Sequence, residues 1–304
     1  TRLAKDQPER LPVLQRKACQ WFADHNLLRE AARHAFQSQD WEYAAAFVEE
    51  HTFTMMIRSE IATLYTWCCE FPEEVMQAHP MLCLMQCWGL VFSFHQHNHA
   101  KINLRLRQVE QVISGLQDPA RIGELREHMA IIQSFLAMTP NLSADPRILL
   151  AQSQELMKLY PEGNPGQFSS LLSAGYACMG LLDAPGAERV LEKSRQAAFS
   201  GGLFFGVIES TFQLARLAYD QGRLKHAAEL CLRARRDIST MLAGANQELP
   251  ALGCLDIALA WVQLEQDQLE DAEKNLLRGL ELIGMGTNHH YLMTAYVGLV
   301  RARA

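Results

Sequence analysis

The sequence predicts an all-α protein built from antiparallel helix pairs that stack side by side. Apolar residues recur every three to four positions over most of the 304 residues, which is the period of one helix face. No stretch alternates apolar and polar residues as a half-buried strand would. Glycine and proline are few, at 18 and 11 residues, which disfavours the many tight turns of a β protein.

The first helices are indicated by three short apolar stripes. Leu11 to Phe22, Ala31 to Phe36 and Ala44 to Val48 each have helical spacing, and only a few polar residues separate them. Helices joined by such short links lie antiparallel to their neighbours. Asp40 stands just before the third stripe, where its side chain can cap the helix.

Further boundaries are marked by proline, glycine and acidic residues. Asp145 and Pro146 have the pattern of an N-cap followed by the first helical residue. Residues 161–166 contain two prolines and two glycines and form the strongest breaker in the chain. Asp267 and Glu270 have the spacing of a capping box, which predicts a helix that begins at Asp267.

The second half of the chain repeats itself at intervals of 40 and 45 residues. Four rows of equivalent positions carry the repeat, and three of these rows hold only small residues. The rows are Gly175, Ala215 and Ala260; Ala187, Ala227 and Ala272; Leu191, Cys231 and Leu276; and Ser194, Ala234 and Gly279. Small residues at equivalent places indicate where two helices approach closely, so each repeat predicts one helix pair.

This repeat resembles the tetratricopeptide repeat (TPR), whose helix pairs carry small residues at those places. The intervals of 40 and 45 residues exceed the family period of about 34, so longer helices are expected. The resemblance covers roughly residues 145–304. It implies pairs that stack into a right-handed superhelix, because one pair cannot bury its apolar face alone.

A second resemblance is carried by residues 1–51. A helix ends in Trp21-Phe22, a short break follows, and then come Glu30-Ala-Ala-Arg-His34-Ala and a further Ala-rich helix. This pattern is similar to the segment after the ATPase module in large ATP-dependent LuxR-family transcriptional regulators of the maltose-activator (MalT) type. The family order of parts implies that residues 1–105 form a helical linker region and residues 106–304 a TPR-like sensor superhelix, or that both form one continuous solenoid.

The same resemblance implies that the chain is the middle and sensor part of a larger protein. The sequence has no G-x-x-x-x-G-K-[ST] motif and no basic recognition helix. ATP and DNA would therefore bind only to the ATPase module and the C-terminal helix-turn-helix of the full-length regulator. The implied function is to sense a small-molecule or protein effector and to self-associate. The alternative is a TPR-like scaffold that binds a partner protein or peptide.

Charge and cysteine usage bear on other classes of protein. The net charge of −6 disfavours direct DNA binding by this chain. No apolar run reaches the roughly 20 residues of a membrane span, and no signal peptide is visible, so a cytoplasmic protein is expected. The eight cysteines form no C-x-x-C pair, which fits a reducing compartment. We expect no cofactor within the chain.

The repeat geometry predicts a binding groove on the first helix of each pair. Tyr176, Arg216 and Trp261 occupy one equivalent position, directly after the small residue of that helix. Five further side chains fall on the same side: Glu209, Phe212, Tyr219, Asp220 and Glu265. Aromatic faces with a few fixed charges suit a small-molecule or peptide ligand. The alternative is that the aromatic residues only fill seams between helices.

Three other features have both a functional and a structural interpretation. The run His95-Gln-His97-Asn-His99 places His95 and His99 four residues apart, a helical spacing that Cys83 and Cys87 share and that suits metal ligands. Histidines commonly cap helix ends, however, and we predict no metal site. No nucleophile-and-base arrangement is visible, so we predict no catalytic residue and no enzyme activity. An arginine cluster can contact DNA or an acidic partner, although pairing with local carboxylates is favoured. It comprises Arg233, Arg235, Arg236, Arg301 and Arg303.

Overall fold

A computed structural model describes residues 10–57, 60–92, 98–138, 145–158, 164, 167–242, 249–284 and 289–304. Within these residues the chain is helical and contains no strand, which confirms the all-α prediction. None of the described helices combines the length and apolar character that crossing a membrane requires.

The helices form two compact units. The first holds most of the described residues up to Leu125, and the second holds those from Arg126 onward together with a few residues at earlier helix ends. The division falls inside one helix, and the predicted linker and sensor regions stay a prediction. The helices up to this division are α1 Leu11–Asp24, α2 Leu28–Gln37, α3 Trp41–Ile57, α4 Ile61–Glu70, α5 Glu73–Ala78, α6 Pro80–Phe92, α7 Asn98–Gly115 and α8 Pro119–Met138.

The first unit contains the expected Asp40 cap and an ion pair between the buried Arg105 and the half-exposed Glu73. Asp40 accepts a hydrogen bond from the backbone N–H of Tyr43 at 3.1 Å, and α1 packs on α2. Arg105 on α7 is buried and donates to both carboxylate oxygens of Glu73 at 2.5 and 2.9 Å, and to the Gln86 side chain at 2.8 Å. These hydrogen bonds tie α7 to α5 and α6. They lower the pKa of Glu73 from 4.5 to about 2.

The second unit repeats one arrangement of helices. The predicted Asp145 cap is confirmed, since its side chain accepts from the backbone N–H of Arg147 at 2.9 Å. After α9, first and second helices of a pair alternate, and each packs on its neighbour in sequence. The helices are α9 Pro146–Met157, α10 Phe168–Gly180, α11 Ala184–Ser200, α12 Phe204–Asp220, α13 Leu224–Met241, α14 Gly253–Glu265 after a 3-10 turn at Pro250–Leu252, α15 Leu269–Gly284 and α16 His289–Arg303.

The three pairs α10–α11, α12–α13 and α14–α15 turn in the same way. The middle residues of the three turns, Leu182, Gly222 and Asp267, have left-handed φ values of 60°, 72° and 59°. In each turn the next backbone N–H bonds to a carbonyl five residues back, at 2.8–2.9 Å, which is the Schellman helix stop. The capping-box prediction at Asp267 is therefore wrong, because Asp267 is the left-handed residue of the turn that follows α14, and α15 begins at Leu269.

The small-residue rows lie where first and second helices meet. Ala187, Ala227 and Ala272 are fully buried. A Cβ added to Gly175 would lie 2.5 Å from the Leu191 side chain, so the helices approach too closely there for a larger residue. The prediction that these rows mark close helix contacts is confirmed.

One row contacts the backbone of the preceding first helix at equivalent places in two repeats. Ser194 Oγ on α11 donates to the Phe168 carbonyl of α10 at 2.6 Å. Gly279 on α15 lies so close to the Gly253 carbonyl of α14 that an added Cβ would be 2.9 Å away. Phe168 and Gly253 are themselves separated by the sum of the two repeat intervals, so the sequence repeat is also a packing repeat.

The first helices contact one another in order, α10 with α12, α12 with α14 and α14 with α16. They therefore form a continuous wall in the second unit, as in a stacked helical repeat. α16 continues the wall as a further first helix and also packs on α15. The handedness of the predicted superhelix stays a prediction.

Candidate functional site

A cavity of about 340 Å³ lies on this wall of first helices. α12 contributes most of its lining, α14 contributes two residues and α16 one. The lining residues are Phe212, Ala215, Arg216, Tyr219, Asp220, Ala258, Trp261 and Thr294. On α12 these residues recur at helical spacing, so one face of that helix forms a side of the cavity.

Aromatic rings give the cavity its apolar surface. Tyr219 and Trp261 stand edge to face, with ring centroids 6.1 Å apart and an angle of 84°. Phe212 makes a similar contact with Tyr291 of α16, at 4.7 Å and 79°. Ala215 and Ala258 line the cavity beside these rings with small side chains. The cavity therefore offers aromatic surface against which a ligand can stack.

Two opposite charges, Arg216 and Asp220, also line the cavity. Arg216 Nε and Asp220 Oδ2 are 4.0 Å apart, beyond hydrogen-bonding distance, and their side chains are 52% and 55% exposed. Among the described residues, neither side chain makes another hydrogen bond or ion pair, and the positive charge of Arg216 partly offsets the rise in the pKa of Tyr176. Both groups therefore retain hydrogen-bonding capacity that faces the cavity.

A hydrogen-bonded cluster stands at the edge of the cavity. Glu265 Oε1 accepts from the Tyr219 hydroxyl at 2.5 Å and from Arg301 Nη1 at 2.6 Å. The Arg301 guanidinium lies 5.9 Å from the centre of the Trp261 ring. The bond from Arg301 lowers the pKa of Glu265, whereas burial and the hydrogen bond to Glu265 raise the pKa of Tyr219. This cluster fixes the orientation of both rings on that side.

A buried carboxylate, Glu209, lies one helical turn from Phe212 on α12. It accepts from the Tyr176 hydroxyl at 2.6 Å and the Gln213 amide at 3.0 Å, and also from the Tyr291 hydroxyl of α16. Burial is the main cause that raises the pKa values of Tyr176 and Tyr291 well above the ordinary value, and the neighbouring carboxylate adds to it. Both phenols therefore remain hydrogen-bond donors to Glu209 at neutral pH.

Of the eight predicted groove residues, the structure brings five together around the cavity: Phe212, Arg216, Tyr219, Asp220 and Trp261. Tyr176 and Glu209 bind each other in the seam between α10 and α12 and do not line it. A phenol hydroxyl in such a seam costs free energy unless it finds an acceptor, and Glu209 supplies one. Glu265 stands at the edge and holds Tyr219.

Sequence reasoning missed the contribution of α16. Thr294 lines the cavity, Tyr291 completes the Glu209 network, and Arg301 binds Glu265. Arg301 stood out only as part of a basic cluster. If the repeat is extended by one more helix pair, α16 becomes its first helix, and this extension could have located Thr294. Nothing in the sequence pairs Tyr291 with Glu209, 82 residues away.

The remaining candidate clusters have structural partners or lie outside the described residues. Arg235 binds the buried Asp256, and Arg303 lies 2.5 Å from Glu273, so pairing with carboxylates accounts for much of the arginine cluster. His95 and His97 lie outside the described residues. Across the described residues no group of three or more His, Cys, Asp or Glu side chains is placed to hold a metal ion.

A comparison with models of known protein families finds no match for this chain. The resemblance to MalT-type regulators is thus carried by the residues of the sequence alone.

Proposed function

We propose that this chain is the effector-sensing and self-association region of a cytoplasmic, ATP-dependent LuxR-type transcriptional activator. The single observation that carries the sensing part is the cavity of about 340 Å³ with aromatic and charged lining on the first-helix wall. Its volume falls in the range of about 300–1,000 Å³ that is typical of small-molecule sites. ATP and DNA would bind elsewhere in the full-length protein.

The composition of the cavity supports a role in sensing. Its lining comes from three successive first helices, α12, α14 and α16, so a bound ligand would contact all three. A ligand that binds only this arrangement stabilises the stack by mass action. In a regulator, such a gain in free energy can shift the balance between an inactive and an associating form.

An exposed apolar stripe on α16 supports association with another protein surface. Its four residues follow the spacing i, i+3, i+4 and i+7 of a helix face that normally packs on a neighbour. They are Met293, Tyr296, Val297 and Val300, which are 69%, 57%, 52% and 72% exposed. The stripe also favours the second candidate function, a TPR-like scaffold whose partner presents an apolar helix or peptide.

Thermal unfolding in the presence of a metabolite set tests the sensing proposal. A compound at 100 times its Kd stabilises the folded chain by about 2.7 kcal/mol and raises Tm measurably. Arg216→Ala removes an exposed side chain that makes no hydrogen bond to the described residues, so the variant should fold normally. Arg236→Ala, an exposed arginine on α13, is its matched control.

A second pair of variants tests the aromatic wall. Trp261→Phe keeps an apolar ring but removes stacking area, and no hydrogen bond is lost because the indole N–H of Trp261 has no partner. Trp21→Phe, at an exposed tryptophan of α1, is its control. At least one compound should raise the Tm of the parent chain and both controls, and raise it less in Arg216→Ala and Trp261→Phe.

A different result would favour the scaffold. If no compound raises Tm, while a partner peptide binds the parent chain and fails to bind a Val297→Asp variant, the sensing proposal is wrong. Circular dichroism of every variant confirms that the helical content is retained.

A further inference from the structure

We infer that the cavity binds a zwitterionic ligand of the α-amino acid class with an aromatic or large apolar side chain. Arg216 would bind the ligand carboxylate, Asp220 its ammonium group, and the aromatic wall its side chain. This inference rests on the proposal that the cavity is a small-molecule site and specifies what that molecule is.

The first argument is the state of the Arg216–Asp220 pair. Their nearest charged atoms are 4.0 Å apart, so the two groups attract each other without a hydrogen bond. Arg301 of the same unit binds Glu265 directly at 2.6 Å, whereas Arg233 and Glu192 are also 4.0 Å apart. Arg216 and Asp220 form no hydrogen bond with each other, so both can bind a partner.

The second argument is complementarity of charge. A guanidinium binds a carboxylate through two parallel hydrogen bonds, which is its strongest common interaction. Asp220 in turn offers acceptor sites for an ammonium group, and the faces of Tyr219 and Trp261 attract the same cation. In an α-amino acid both charged groups are attached to one carbon, so they can reach two adjacent side chains of one helix face.

The third argument is what other ligand classes would leave unsatisfied. A carboxylate without an ammonium group would bind Arg216 but would lie beside the like charge of Asp220. An amine without a carboxylate would bind Asp220 but would lie beside the like charge of Arg216. A neutral apolar ligand would cover two half-exposed charges without hydrogen-bonding to them, which costs free energy. A neutral polar ligand could hydrogen-bond to both groups but would neutralise neither charge, whereas a zwitterion does both.

The apolar part of the cavity limits the ligand side chain. Phe212, Tyr219 and Trp261 supply the ring surfaces, and Ala215 and Ala258 leave space between them. A polar or very small side chain would leave this surface uncovered. We therefore expect phenylalanine, tryptophan or leucine to bind more tightly than glycine or serine.

Isothermal titration calorimetry with L-phenylalanine and matched analogues tests the inference. The analogues are 3-phenylpropionate, which lacks the ammonium group, phenethylamine, which lacks the carboxylate, and N-acetyl-L-phenylalanine amide, which lacks both charges. Each charge-assisted hydrogen bond lost should weaken binding by about tenfold or more. L-Phenylalanine should therefore have a Kd at least about tenfold lower than each analogue.

Two conservative variants assign the charges separately. Arg216→Gln should weaken binding of L-phenylalanine and 3-phenylpropionate and leave that of phenethylamine unchanged or improved. Asp220→Asn should weaken binding of phenethylamine and leave that of 3-phenylpropionate unchanged or improved. Arg236→Gln, on an exposed face of α13, should change none of them.

The outcomes separate this inference from the proposal on which it rests. If 3-phenylpropionate or the neutral amide binds as tightly as L-phenylalanine, the zwitterion inference is overturned. If none of the amino acids binds but another metabolite raises the Tm of the parent chain and not that of Arg216→Ala, the inference fails and the sensing proposal stands. If no compound of any class binds, both fail.

Discussion

The hydrogen-bond network around Glu209 makes a quantitative prediction about how α16 is held. Glu209 is 5% exposed, and among the described residues no arginine or lysine forms an ion pair with it. Three neutral donors stabilise its carboxylate, from Tyr176, Gln213 and Tyr291. Tyr291→Phe removes one donor and keeps the ring that packs on Phe212.

The expected cost follows from the burial of the carboxylate. A hydrogen bond to a charged group contributes about 1.5–3 kcal/mol, and the oxygen left behind cannot turn to water. We therefore expect Tyr291→Phe to lower the free energy of unfolding by about 2 kcal/mol. For a unit of 150–250 residues this corresponds to a decrease in Tm of about 4–8 °C.

Urea unfolding followed by circular dichroism measures this change, with separate transitions fitted if the two units unfold independently. The matched control is Tyr296→Phe, on the exposed side of the same helix, which should change stability by less than about 0.5 kcal/mol. Equal effects of the two substitutions would refute the assigned network. A double substitution with Glu209→Gln should show that the two residues are coupled, because the second change then costs less than it does alone.

Two further predictions concern helix packing and acid stability. Gly175→Ala should be less stable than Gly123→Ala by about 1–3 kcal/mol in urea unfolding, because an added Cβ meets Leu191 at the first site and nothing at the second; equal effects would contradict the close contact. The folded pKa of Glu73, lowered to about 2 by Arg105, lies below its ordinary value of 4.5. The stabilisation from ionised Glu73 is therefore present above pH 4.5 and lost as the pH falls toward 2. In Glu73→Gln the free energy of unfolding should decrease less over this pH range; the same decrease as in the parent chain would contradict the assignment.

Much of the fold could be predicted because close helix packing requires small residues at regular positions in the sequence. Ala187, Ala227 and Ala272 must be small wherever two helices touch, so the repeat is visible in the chain itself. The capping-box prediction at Asp267 is wrong for a physical reason. An acidic residue three positions before a glutamate fits a capping box. Here, however, Asp267 has a left-handed conformation and belongs to the helix stop that follows α14.

The site was predicted in part for the same reason. Arg216 and Trp261 could be located because the repeat places them directly after a small residue on the wall. Tyr176 occupies the equivalent position, yet its hydroxyl turns to Glu209 in the seam between α10 and α12. That choice depends on a buried acceptor brought near by tertiary packing. The link from Tyr291 to Glu209 depends on packing in the same way and has no signature in local sequence.

The central claim is that the wall of first helices carries the ligand site. Amide hydrogen exchange, with and without the compound that raises Tm most, tests it directly. Added protection should concentrate at residues 212–220 of α12, around Ala258 and Trp261 of α14, and near Thr294 of α16. Protection confined to the second helices α11, α13 and α15, or to the first unit, would contradict the claim.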